Sequence, residues 1–133
     1  MTPLDLARVL LAKARQDLEA LELLARSTVA DEIVGFHAQQ AVEKALKAWL
    51  TLVGVEYPRT HDLEELLELL EEHAEPILGA FYDLVDLTDF AVQFRYGIFE
   101  DAEGRLNRGV MIRQVSDLVV HVERLVREAE TAG

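Results

Sequence analysis

Apolar residues return every three or four positions along nearly the whole chain, and nowhere do they alternate with polar ones over the length of a strand. That spacing restricts the chain to helices, and Pro, Gly and acidic residues divide it into blocks. The first block runs from about Pro3 to Ser27, with Leu4, Leu11, Ala14, Leu18, Leu21 and Ala25 on one side. A repeat near 3.5 suits a bundle helix, and Pro3 is tolerated in a first turn, where its missing N–H has no partner to lose. The second block spans about Asp31 to Val53 and halts at Gly54. The stretch "GVEYPRTHDLEELLELLEEHAEP" then supplies a connection and a short third helix. Asp62 is its expected cap, Glu65 its capping-box partner, and Leu63, Leu66, Leu67 and Leu70 its buried stripe. A fourth helix is expected from Pro76 to Gly97, with Ile77, Phe81, Leu84, Thr88 and Ala91 on one face. After the polar connection "FEDAEGRLN", a last helix carries Val115, Leu118, Val119, Val122, Leu125 and Val126. The expected fold is all-α: an antiparallel up-and-down bundle of four long helices plus a short connecting helix, one domain over residues 1–133.

Charge narrows the function. Thirteen basic residues face 25 acidic ones, a formal net charge of −12. Phosphate recognition needs a basic footprint, so nucleic acid can be met only at a local basic site or through a partner. Without cysteine there is neither disulfide nor thiolate metal site. The four histidines fall on different segments without metal-ligand spacing, acid pairs such as Glu71–Glu72 have no counterpart, and no glycine-rich phosphate loop exists. No metal and no cofactor are expected. Asp5, Arg8, Lys13 and Arg15 interrupt the apolar start, so the N-terminus is expected to be mature structure, and no membrane span and a cytoplasmic location are expected.

The second helix holds the most ambiguous stretch, "FHAQQAVEKALKAW". At about 100° per residue, Val34, Ala38, Ala41, Val42, Ala45, Trp49 and Leu52 share one broad side, and its alanines permit close helix approach. Ile33, Phe36, His37, Gln40, Glu43, Lys44, Lys47 and Thr51 lie opposite. The expectation is a continuous solvated stripe, with a Glu43–Lys47 pair four residues apart and an apolar edge at Ile33 and Phe36 that suits contact with another chain.

Three segments in order, "FHAQQAVEKALKAWL", "GVEYPRTHDLEELL" and "FAVQFRY", resemble the HEPN family, the higher-eukaryote and prokaryote nucleotide-binding domain. The resemblance covers nearly the whole chain. It implies an up-and-down bundle paired as a homodimer, and a minimal nucleotidyltransferase as partner, often in a toxin–antitoxin relation. Some members cleave RNA without metal and others bind nucleotides. RNA-cleaving members carry an Arg followed, after four to six residues, by a His. Arg95 matches that Arg, but Glu100, Asp101 and Ala102 occupy the places of the His. Where paired members have a Tyr shortly after the His, this chain has only Tyr96, directly after Arg95.

Arg95 is thereby the leading candidate. It continues the inward side of the fourth helix where that helix stops, and its guanidinium suits both a helix C-terminus and a phosphate. Tyr96 offers a ring for stacking on a base. His61, just before the Asp62 cap, is the candidate acid or base that would act with Arg95. His37, Gln40, Lys44 and Lys47 form a small basic strip against an acidic background, which a dimer axis near the second helix would double. Three readings follow: a nucleotide- or RNA-contacting homodimer working with a nucleotidyltransferase, a metal-independent RNase using Arg95 and a displaced His, or a structural helical dimer without activity.

Overall fold

The computed structural model describes residues 1–73, 79–88 and 107–132. Helix α1 spans Pro3–Ala25, α2 spans Asp31–Leu52, α3 spans Leu63–His73 and α4 spans Gly79–Tyr82, which tightens into a 3₁₀ segment at Asp83–Leu87; α5 spans Arg108–Ala132. No strand occurs among the described residues, and the fold is an all-α helical bundle. None of the described helices is long and apolar enough to cross a membrane.

Ion pairs and ring contacts fix the helix directions. Arg8 Nη2 meets Glu130 Oε2 at 2.9 Å, Arg15 pairs with Glu123, and Arg108 reaches the Ala25 carbonyl at 3.4 Å, so α1 and α5 run antiparallel. Near their starts α2 and α5 are joined by Arg108 Nε and Asp31 Oδ1 at 3.0 Å. Farther along, the Trp49 and His121 rings meet at a 58° tilt with centroids 4.7 Å apart. These two helices are therefore parallel, as an up-and-down bundle requires, and the chain between them carries α3 and the 79–88 segment.

The helix ends have identifiable causes. Thr2 and Asp5 form a reciprocal capping box, each side-chain oxygen accepting the other's N–H at 3.1 Å. At the end of α2, Gly54 adopts φ 76°, the Val55 N–H reaches the Leu50 carbonyl at 3.0 Å, and the Gly54 N–H reaches that of Thr51 at 3.2 Å. This is a Schellman closure, which needs a left-handed residue and explains the glycine. Asn107 starts α5 by accepting the Val110 N–H on Oδ1 at 3.1 Å.

Three expectations need correction. Asp62 does cap α3, through the Glu64 N–H at 3.0 Å, but Thr60 Oγ1 rather than Glu65 accepts the Asp62 N–H, also at 3.0 Å. The Leu63 N–H is satisfied from afar by Thr88 Oγ1 at 3.1 Å. The expected fourth helix tightens at Asp83, and Phe81, Leu84 and Leu87 are buried at a spacing of three, the period of a 3₁₀ turn rather than an α-helix. Its outer parts, including Pro76, Ile77, Ala91 and Gly97, lie outside the described residues.

The third correction concerns α2. It packs against α1, α3 and α5, so it has no wet side: Gln39 and Glu43 are 0% and 5% exposed, and Lys44 and Lys47 are half-buried. Only the edge at Ile33 stays open, while Phe36 is half-buried. Ala38, Ala41, Ala45 and Ala48 are fully buried and allow the close approach read from their size. Ala45→Leu is accordingly expected to overpack the bundle and to lower stability by roughly 1–3 kcal/mol in urea unfolding, with helicity retained.

Candidate functional site

On α2, Gln39, Glu43 and Lys47 follow one another at intervals of four, which stacks them on one helix face. The connection from α2 to α3 folds back across that face. Gln39 Nε2 donates to the His61 carbonyl at 3.2 Å and to Glu43 Oε1 at 3.0 Å, so one amide grips both the connection and the acid. His61 Nδ1 lies 2.6 Å from the same Oε1, and Lys47 Nζ lies 3.1 Å from Oε2. Gln40 Nε2 donates to Gln39 Oε1 at 2.7 Å, and Lys47 sits 5.7 Å above the Tyr57 ring.

Burial alone would raise the Glu43 carboxyl. Hydrogen bonds from Gln39 and His61, with Lys47 beside it, outweigh that effect and hold it below the ordinary carboxylate range. Glu43 is therefore a buried anion. A carboxylate can only accept, so the short contact places a proton on Nδ1 of His61, and in the neutral ring the lone pair is then on Nε2. The His61 side chain is 37% exposed against 6% for Glu43, so the dyad runs from the interior outwards. Such an arrangement can move a proton without metal.

A second cluster joins α1 to α2. Asp17 Oδ2 meets Lys44 Nζ at 2.5 Å, and its Oδ1 lies 3.5 Å from His37 Nδ1. The strip of His37, Gln40, Lys44 and Lys47 thus divides: His37 and Lys44 turn to Asp17, while Gln40 and Lys47 join the Glu43 network. His61 is brought into the latter from the connection. Arg95 and Tyr96 lie outside the described residues. No group of three His, Cys, Asp or Glu able to hold a metal ion occurs among the described residues.

The HEPN domain model matches residues 7–131 of this chain. The chain belongs to the HEPN family. It is thus a helical domain of nucleotide- and RNA-related kind, and HEPN domains commonly dimerise. No curated protein and no solved structure matches it. Within this HEPN domain, two histidines have other roles. The His73 Nδ1 bonds the Leu69 carbonyl at 3.0 Å, and His121 packs against Trp49 and Phe81 with Arg124 Nη2 2.9 Å from its Nδ1. Gln39 and Glu43 were missed as site residues by sequence reasoning. Their signal was the Gln39–Glu43–Lys47 spacing, which has no functional meaning until the connection is seen to cross it.

Proposed function

We propose that this HEPN domain acts as a homodimer that contacts nucleotide or RNA near Arg95, in a toxin–antitoxin-like pairing with a minimal nucleotidyltransferase. The observation that carries this reading is the His61–Glu43 dyad, whose open ring edge stands two residues before Leu63. The Leu63 N–H is held by Thr88, and seven residues further along the chain comes Arg95. With a net charge of −12, a phosphate contact has to be local, and Arg95 and Tyr96 supply adjacent charge and stacking ring. His37, Gln40, Lys44 and Lys47 flank this contact in the proposal. Lys44 is tied to Asp17 and Lys47 to Glu43, so both add local positive potential without leaving their partners, and Arg95 is the dominant anchor.

Fluorescence titration with labelled single-stranded RNA and with ATP at low salt tests this. Arg95→Ala is expected to weaken binding at least about tenfold, roughly 1.4 kcal/mol, with helicity and thermal midpoint nearly unchanged. Equal affinity in the variant sinks the Arg95 assignment. Recovery of a nucleotidyltransferase in native-host pull-downs tests the partner.

A metal-independent RNase is the second reading, favoured by the carboxylate-held imidazole at His61. Arg95 would stabilise charge on the phosphate while His61 moves the proton of a ribose 2′-hydroxyl. RNA decay in EDTA that requires both Arg95 and His61 distinguishes it from binding alone.

A further inference from the structure

We infer that Glu43 is a positioning residue: it holds His61 in the Nδ1–H form and aims Nε2, as proton acceptor, at a ribose hydroxyl of the bound ligand. This rests on the nucleotide- or RNA-contacting reading above and assigns a role to a residue on the opposite element from His61.

Three features of the geometry point to it. First, both Glu43 oxygens are committed, Oε1 to Gln39 and His61 and Oε2 to Lys47, so the carboxylate cannot rotate away from the imidazole. Second, the ring and its own backbone are held by one helix face, because Gln39 also takes the His61 carbonyl. An imidazole tied at both places has a fixed direction, whereas a histidine that merely lined a connection would be held at neither. Third, the buried end of the dyad is the carboxylate and the open end is the ring, whose Nε2 has no partner among the described residues.

The proton balance is simple. The ligand O–H bond breaks, the oxygen keeps the electron pair, and an N–H bond forms at Nε2. The Nδ1 proton stays in its bond to Glu43, whose negative charge faces the new imidazolium. Lys47 already compensates Glu43 while His61 is neutral, so the buried carboxylate is paired in both states.

Imidazole nitrogen NMR on the full chain at alkaline pH tests this, with the His61 signals identified by their loss in His61→Gln. The expected result is an Nδ1–H pattern for His61 in the wild type and a change toward the Nε2–H pattern in Glu43→Gln, where the acceptor-only partner is gone. An Nε2–H pattern in the wild type overturns the inference and needs no variant to fold. Adding a single-stranded RNA is expected to move the Nε2 signal, and its fully 2′-O-methylated counterpart is expected to leave it in place. RNA that binds through Arg95 but leaves Nε2 unmoved overturns the inference and spares the binding reading. An Nδ1–H pattern that depends on Glu43 in a protein with no affinity for RNA overturns that reading, and with it the aim of Nε2 at a ribose hydroxyl, while the hold of Glu43 on the His61 tautomer stands.

Discussion

Replacing Arg108 by Ala is expected to lower the unfolding free energy by about 3 kcal/mol and the thermal midpoint by roughly 10 °C. Helix α1 ends without a glycine and without a basic residue in its last turn, so its free carbonyls need a donor from elsewhere. Arg108, at the first position of α5, provides it: Nη1 lies 3.4 Å from the carbonyls of Leu24 and Ala25 and 3.1 Å from that of Ser27, and Nη2 lies 2.5 Å from that of Val29. The same guanidinium pairs with Asp31 Oδ1 at 2.8 Å, in the first turn of α2, where a negative charge already suits the helix dipole. One side chain therefore closes α1, orders the turn and anchors α2 to α5. Removing it leaves a largely buried Asp31 without its cation and takes this donor from the carbonyls of Ala25, Ser27 and Val29, whereas that of Leu24 keeps the Ser27 N–H and hydroxyl. Arg108→Lys keeps the charge but cannot reach these acceptors from a single nitrogen, and is expected to recover less than half of the loss. Urea unfolding followed by circular dichroism measures both; an Arg108→Ala loss under about 1 kcal/mol would show that water replaces the guanidinium at little cost.

Arg108 also shows where sequence reading stops. Helix α2 was legible to its last turn, because Gly54 is a local signal for a local closure. The body of α5 was legible for the same reason, with Val115, Leu118, Val119, Val122 and Val126 all buried on the expected stripe. The cap of α1 depends on a residue some eighty positions away, and "GRLN" before Arg108 reads as polar connection whichever role its neighbours play. Distance along the chain likewise hid the Thr88 hydroxyl that replaces part of the α3 cap. The α2 stripe is not wet because an angle plot places residues on faces without showing what covers a face, and a polar side can be covered by another element if its groups find partners there.

The candidate site was legible in part for related reasons. His61 was singled out by its place before a helix cap, and the structure brings it to Glu43, a residue that sequence had treated as half of an exposed pair with Lys47. A four-residue spacing between acid and base has the same form whether the pair is wet or buried; only the crossing of the α2–α3 connection decides between them. Belonging to the HEPN family follows from residues spread over 7–131, a distributed signal that survives errors at any one helix boundary.

Glu43→Ala is expected to destabilise the protein by about 3–5 kcal/mol, the largest single effect among these substitutions. The acid is 5% exposed and accepts from Gln39, His61 and Lys47, so truncation strands three donors, one of them a cation, in a site too enclosed for full hydration. Glu43→Gln restores shape and part of the bonding, and is expected to recover about half of that loss, about 2 kcal/mol on the same scale. The pH dependence separates charge from packing. The folded-state value of Glu43 is lowered from its ordinary 4.5, so its ionised form contributes stability that is complete above 4.5 and declines as pH falls through the lower folded value. The stability difference between wild type and Glu43→Gln should therefore shrink on acidification below that point. Urea midpoints measured on both proteins from neutral to acid pH give the result directly. A gap that stays constant into strong acid would mean that the wild-type carboxyl is not the anion the dyad requires, and the proton-accepting role of His61 would lose its physical basis with it.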